Sequence, residues 1–361
     1  MDTDLQYMAH ALQLAARGHF STSPNPRVGC VLVKNDAVIA EGWHIAAGGP
    51  HAEIHALQQA GTHARGTTAY VTLEPCSHHG KTGPCCDALI AAGVARVVYG
   101  MQDPNPQVSG NGLQKLRDAG VTVDGPLLEQ QAQALNPGFI KRMQTGLPFV
   151  RVKMAMSLDG RTAMASGESQ WITGEAARHD VQRLRAQSCA IITAASTVLS
   201  DNAQLTVRDP EYLAMLGERR PLRVLLDQHA HLALDAHIFN DQAPTLWCSS
   251  KPVPDDLPAH IQHWLLPVQK HRADLHALLT ELARRGCNDV LVEAGSTLAG
   301  SFLQEKLADE MIIYMAPKLL GSTARPLFTL PFDSMDEAHN LKILDVRAVG
   351  DDWRFTIKPL D

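Results

Sequence analysis

The sequence predicts two consecutive α/β domains. Three observations carry this expectation: strands alternate with helices in both halves, a short connection near residue 145 separates two such sets, and 361 residues exceed what one hydrophobic core usually serves. Residues 4–17 open the chain with Leu5, Met8, Leu12 and Ala15 on one helical face and Gly18 as a stop. The apolar runs Val28–Lys34 and Val38–Trp43, joined by Asn35-Asp36-Ala37, read as a hairpin. A helix at His51–Ala60 ends at Gly61, and a β-branched strand follows at Ala69–Leu73. Next come a helix at Pro84–Ala92, closed by Gly93, and a strand at Arg96–Tyr99. This strand–helix–strand order predicts a parallel pair. Beyond the turns at Asp103-Pro-Asn-Pro and Gly110-Asn-Gly, the pattern gives a helix at 112–119, a strand at Val121–Val123 and a helical stretch near 127–142.

Residues 143–149 read as a short connection, so the expected domains are 1–145 and 146–361. In the second, strands are expected at Val150–Met156, Cys189–Thr193, Arg223–Asp227, Asp289–Glu293, Met311–Met315 and Trp353–Lys358, with helices at 175–187, 273–285 and 297–306. Residues 212–270 carry no motif.

Composition narrows the function classes. With 45% hydrophobic and 19% charged residues the chain reads as an ordinary globular protein. Its net charge of −6, with no basic cluster longer than Arg219-Arg220 or Arg284-Arg285, argues against a nucleic-acid partner. No apolar run is long enough to span a bilayer, and the acidic start lacks a signal-peptide pattern, so no membrane partner and a cytoplasmic location are expected. Seven scattered cysteines argue against a disulfide framework.

Chemistry concentrates in His51-Ala-Glu53, followed by Pro75-Cys76 and Cys85. Catalytic zinc takes three protein ligands from His and Cys and leaves the fourth position to water, whose pKa falls to roughly 7. His51, Cys76 and Cys85 supply that set. Glu53, about half a turn along the helix from His51, is placed to take a proton from water and return it to a departing amine. The H-x-E…P-C-x-x-C deaminase signature divides the labour in this way, although here eight residues, Ser77–Pro84, separate the cysteines. A structural zinc would need a fourth protein ligand from Cys86, His78 or His79. Adjacent positions on a helix diverge by about 100°, which disfavours Cys86.

This stretch resembles the deaminase half of the bacterial bifunctional riboflavin-biosynthesis deaminase/reductase family. The marks are Pro24-Asn-Pro-Arg-Val-Gly29, His51-Ala-Glu53, the run from Thr72 to Cys85 with its long insertion, and Asp103-Pro-Asn-Pro106. Gly83 departs from the family, where proline is common. The resemblance implies a cytidine-deaminase-like α/β/α domain in which Asn25 bonds the pyrimidine and His44 and Lys81 also contact substrate.

In the second half, Glu293-Ala-Gly-Ser-Thr-Leu-Ala-Gly300 follows a strand and opens a helix. The free N–H groups near Ser296 and Thr297 suit a phosphate, or mark only a helix cap; this is not the G-x-G-x-x-G fingerprint. Lys153–Ala163, Ser169-Gln-Trp-Ile-Thr173, Val198-Leu-Ser-Asp201, Leu205-Thr-Val-Arg208 and Glu293–Gly300 resemble the reductase half of the same family. That likeness implies a dihydrofolate-reductase-like α/β domain using NADPH. It implies cofactor contacts at Ala155, Trp171, Thr197, Asp201 and the loop Gly295, Ser296, Thr297, Leu298, Ala299, Gly300 and Ser301. Substrate contacts would fall on Ser169, Arg185, Leu205, Arg208 and Glu293.

Together the halves imply a two-step enzyme of riboflavin synthesis acting on a small phosphorylated pyrimidine, with Zn2+ and NADPH as cofactors. Deamination of 2,5-diamino-6-ribosylamino-4(3H)-pyrimidinone 5′-phosphate would precede reduction of the ribosyl chain to ribityl, and relatives suggest a homodimer. The competing readings are a nucleic-acid-editing deaminase with an unrelated second domain and a zinc-stabilised binding module without activity.

Overall fold

The computed structural model describes residues 2–77, 83–106, 108–269 and 272–360. The chain divides into two compact units, Met1–Gly146 and Leu147–Asp361.

The first unit is built on a five-stranded sheet in the spatial order Ala37–Trp43, Gly29–Lys34, Thr68–Val71, Arg96–Tyr99, Thr122–Asp124. The first two strands form the expected hairpin, closed through Asn35 and Asp36 at φ 51° and 58°. Asn and Asp tolerate this left-handed conformation, and it matches the twist of a tight hairpin. The last three strands run parallel, as the strand–helix–strand order requires. Alternation sends Cys30 and Leu32 to one face, against Ala52, Ala56, Leu89 and Leu116. Val31 and Val33 face the other side, against Met8, Ala11 and Leu14 of the helix Asp2–Ala16. That helix approaches closely enough for a Cβ on Gly29 to fall 2.0 Å from the Ala11 carbonyl oxygen. The stretch expected to be helical near 127–142 is two helices, Glu129–Leu135 and Pro137–Thr145. Asn136 leaves helical geometry at φ −129°, ψ 39°, and Pro137, lacking an N–H, starts the second helix at its first turn.

The second unit carries a nine-stranded sheet ordered Ile261–Leu265, Thr245–Ser249, Leu222–Leu226, Ala190–Ala194, Asp289–Glu293, Phe149–Ser157, Glu310–Ala316, Asp352–Pro359, Leu341–Val349. The first seven are parallel; Asp352–Pro359 pairs antiparallel with both Glu310–Ala316 and Leu341–Val349. Val150, Val152, Val290 and Val292 pack on one face against Leu278, Leu282 and Phe302. Ile191, Leu225 and Trp247 face the opposite side. Three of these strands, at 245–249, 261–265 and 341–349, go beyond the sequence expectation, as do the helices Ala195–Asp201 and Pro210–Leu216. Among the described residues no helix is long and apolar enough to cross a membrane.

Candidate active sites

Three elements of the first unit converge on one point. His51 is the N-cap of the helix Ala52–Ala60, extended at φ −75°, ψ 166°. Cys85 opens the helix Cys85–Ala91, and Cys76 lies in the loop after the strand Thr68–Val71. The His51 Nδ1 and the two Sγ atoms all lie within 4.8 Å of one another; Nδ1 is 3.2 Å from Cys85 Sγ and 3.6 Å from Cys76 Sγ. Zinc bonds sulfur at roughly 2.3 Å and nitrogen at roughly 2.0 Å, so tetrahedral ligand atoms sit roughly 3.5–3.8 Å apart, and the three residues fit the ion. Cys86 is turned away: its thiol points at the Pro75 and Gly112 carbonyl oxygens, 3.1 and 3.4 Å away.

Mutual hydrogen bonding splits the two thiols. Hydrogen bonds from Cys85 and His51 and the Cys85 backbone N–H, 3.3 Å away, pull the Cys76 thiol down to about 4 against the opposing effect of burial. The Cys85 thiol is held far up, first by the hydrogen bond it gives Cys76 and then by burial. Glu53 is buried beside them; burial pushes its carboxyl up to about 7.

Asn25 Nδ2 lies 3.0 Å from His44 Nε2, and His44 Nδ1 lies 3.0 Å from the Pro50 carbonyl oxygen. A carbonyl only accepts, so Nδ1 carries the proton and bare Nε2 accepts from the Asn25 amide. Burial lowers the His44 pKa, consistent with a neutral ring. Both ring nitrogens are thus engaged, and His44, 2% exposed, stands beside Asn25 with its ring edge-on to that of His51, centroids 5.5 Å apart. Lys81, like His78 and His79, lies outside the described residues.

The second unit has a cavity of about 770 Å³. Ala155, Trp171, Thr197 and Asp201 line it together with Gly295, Ser296, Thr297, Leu298 and Ser301. Ala299 and Gly300 do not: Ala299 is fully buried in the core, and a Cβ on Gly300 would meet the Thr329 carbonyl oxygen at 2.3 Å. On the helix Ser296–Gln304 these two point inward, because one face of any docked helix must be packed. Ser169, Arg185, Leu205, Arg208 and Glu293 line the same cavity, and Ser169 Oγ donates to Asp201 at 2.9 Å. Leu205 sits at φ 54°, a left-handed conformation that costs a leucine about 1–2 kcal/mol.

Arg185 is not a free guanidinium. Its Nε and Nη2 donate to the two carboxylate oxygens of Glu293 at 2.6 and 3.0 Å, and Nη1 donates to Thr206 O at 3.1 Å. Burial pushes Glu293 upward, yet the Arg185 guanidinium overcomes it and holds the carboxyl below its usual range. Arg208 is exposed at the cavity and donates weakly to Gln204, 3.4 Å away. Lys153, within the Lys153–Ala163 motif, also lines the cavity. Its Nζ lies 4.0 Å from Glu293, and burial lowers its pKa. Its strand lies next to the Glu293 strand.

Comparison with known proteins matches both units. Residues 1–101 match the cytidine and deoxycytidylate deaminase zinc-binding region, and residues 148–355 match the RibD C-terminal domain. The chain is 51% identical over 357 residues to the riboflavin biosynthesis protein RibD of Escherichia coli, covering 97% of each. It is 47% identical to the Haemophilus influenzae protein of that name, covering 99% of this chain and 97% of the other. Among solved structures, Acinetobacter baumannii RibD superposes with a TM-score of 0.92 at 46% identity, covering 100% and 99% of the two chains. A Thermotoga maritima diaminohydroxyphosphoribosylaminopyrimidine deaminase/5-amino-6-(5-phosphoribosylamino)uracil reductase gives 0.88 at 35%, covering 99% of both. A zinc-binding deaminase domain followed by a reductase domain, matched along nearly its whole length, makes this chain a member of the RibD family of bifunctional riboflavin-biosynthesis deaminase/reductases.

Proposed function

We propose that the first domain deaminates 2,5-diamino-6-ribosylamino-4(3H)-pyrimidinone 5′-phosphate and that the second reduces the ribosyl chain of the product to ribityl with NADPH. The observation that carries the proposal is the convergence of the His51, Cys76 and Cys85 donor atoms beside a buried Glu53. Zinc held by such a set brings a water pKa of roughly 7 and keeps one position open. Glu53, buried beside the three ligands, is placed to accept a proton from water and give it to the departing amine. Asn25, whose amide N–H is spent on His44, keeps Oδ1 for a pyrimidine N–H donor; His44 acts through Asn25. Lys81 is assigned to substrate on the family resemblance alone.

NADPH bound in the second domain would supply the hydride needed at the sugar C1. The cavity-lining Ala155, Trp171, Thr197, Asp201 and the helix start at Gly295–Thr297 are assigned to the cofactor. Ser169, Leu205 and Glu293 are assigned to the substrate. The fork of Arg185 serves Glu293, so Arg208 is the guanidinium available to the substrate phosphate. The chain is proposed to work as a homodimer. Leu341, Ile343, Leu344 and Val346 on the outermost strand of the nine-stranded sheet are all exposed, which supports a self-association face; sedimentation at a monomer mass rules it out. That none of the seven cysteines forms a disulfide supports a reducing, cytoplasmic setting.

The test is incubation of purified protein with the diaminopyrimidine, with and without NADPH, following ammonia and NADPH oxidation separately. Ammonia release without NADPH, and NADPH oxidation only after it, is expected. Absence of ammonia release refutes the first assignment. Ammonia release with no NADPH consumption refutes the second.

A further inference from the structure

Directly behind Cys76 lies a carboxylate for which the reaction has no evident use. Glu74 is buried at 3% exposure, and its charge is met by backbone N–H groups arriving from residues about thirty to forty positions later. Gly112 N donates to Oε1 at 2.9 Å, while Gly110 N and Asp103 N donate to Oε2 at 2.9 and 3.2 Å. The Glu74 backbone N–H itself donates to Met101 O at 2.9 Å. Gly112 touches the next residue along: a Cβ there would stand 2.0 Å from Pro75 O. The same Pro75 oxygen is 3.1 Å from the Cys86 thiol, and the Cys86 N–H donates to Cys76 O at 3.2 Å.

We infer that Glu74 is a positioning residue of the deaminase site: its carboxylate ties the backbone of Asp103, Gly110 and Gly112 against Pro75 and thereby fixes where Cys76 presents its sulfur. The inference rests on the reading of His51, Cys76 and Cys85 as the zinc ligands. Zinc needs sulfur within a few tenths of an ångström of its bonding distance, and a loop is a poor element to hold it there unaided. Cys76 is the one ligand of the three not placed by a helix start. The Glu74 clamp, Gly112 and Cys86 together give its loop the rigidity that a helix gives the other two.

The donor pattern supplies the test. Both oxygens of Glu74 accept, so an isosteric glutamine must aim its NH2 either at Gly112 N or at the Asp103 and Gly110 pair. Volume and burial are kept, and one acceptor is lost. In full-length E74Q, zinc affinity or deaminase turnover should fall roughly 10–100-fold, the range for groups supporting metal ligands. The cobalt-substituted protein should show an altered sulfur-to-metal absorption band. NADPH oxidation with the already deaminated pyrimidine should stay at the wild-type rate, which confirms that the chain is folded outside the first domain. A zinc dissociation constant and cobalt band equal to wild type in E74Q overturn the inference. If the first domain of E74Q does not fold, C86A replaces it. Loss of the thiol bond to Pro75 should shift the same cobalt band more weakly, and an unshifted band overturns the inference. A wild-type chain that binds no zinc instead overturns the ligand assignment on which the inference depends.

Discussion

Consider replacing Glu293 with leucine in the reductase domain. The wild-type carboxylate receives two parallel bonds from Arg185 at 2.6 and 3.0 Å, with both side chains about one-tenth exposed. At an effective dielectric near 20, unit charges at such separations attract by about 6 kcal/mol, most of it offset by what each ion loses in leaving water. Removing one partner strands the other: buried Arg185 keeps its charge and only the Thr206 carbonyl as acceptor. A destabilisation of about 3–5 kcal/mol is expected, and Arg185→Met should cost a similar amount by stranding Glu293 with Lys153 at 4.0 Å. The double variant Arg185→Met/Glu293→Leu removes both charges and should recover most of the loss. Urea denaturation read on the reductase transition gives the coupling energy directly. A double variant whose loss equals the sum of the singles would refute the reasoning, because it would mean the pair does not interact.

Other consequences follow from the same structure. Arg208→Ala should raise KM for the phosphorylated substrate about 10–100-fold, since a bidentate charged contact is worth about 1.5–3 kcal/mol; steady-state NADPH oxidation checks this, and an unchanged KM removes Arg208 from the phosphate site. Asp4 is held down to about 2, first by its hydrogen bond with Arg96 and also by that from Tyr70, against burial. Because its folded pKa is depressed below that of an ordinary aspartate, its contribution is present above about pH 4 and lost as pH falls toward 2. Asp4→Asn should therefore cost the first domain about 1 kcal/mol at pH 7, after discounting for partial exposure, and the gap to wild type should close on acidification; a gap independent of pH contradicts the assignment.

How much of this was legible in the sequence depends on how far apart the interacting residues lie. His51 and Glu53 share one helix turn, and Cys76 and Cys85 carry spacing and flanking prolines of their own, so the ligand set could be read locally. The clamp at Glu74 could not, because its donors come from the backbone at 103, 110 and 112, where side-chain identity says nothing. The engagement of Arg185 by a residue 108 positions away was equally invisible, so its guanidinium read as free for phosphate. Ala299 and Gly300 lie on the inward face of the helix that opens at the cofactor loop, and a motif does not say which helix face packs inward. The strand Thr245–Ser249 is buried at every position and so lacks the alternation that marks a strand, while Leu341–Val349 is mostly exposed and lacks it for the opposite reason. The break at Asn136 was signalled by Pro137 and should have been read.

The central claim, that His51, Cys76 and Cys85 hold zinc while Glu53 moves the proton, is tested most directly by Glu53→Gln in the full-length chain, with zinc content and ammonia release measured on the same sample. One zinc per chain retained, with ammonia release from the diaminopyrimidine lowered at least about 100-fold, is the predicted result. Ammonia release near the wild-type rate, or loss of the metal from the variant, would contradict it.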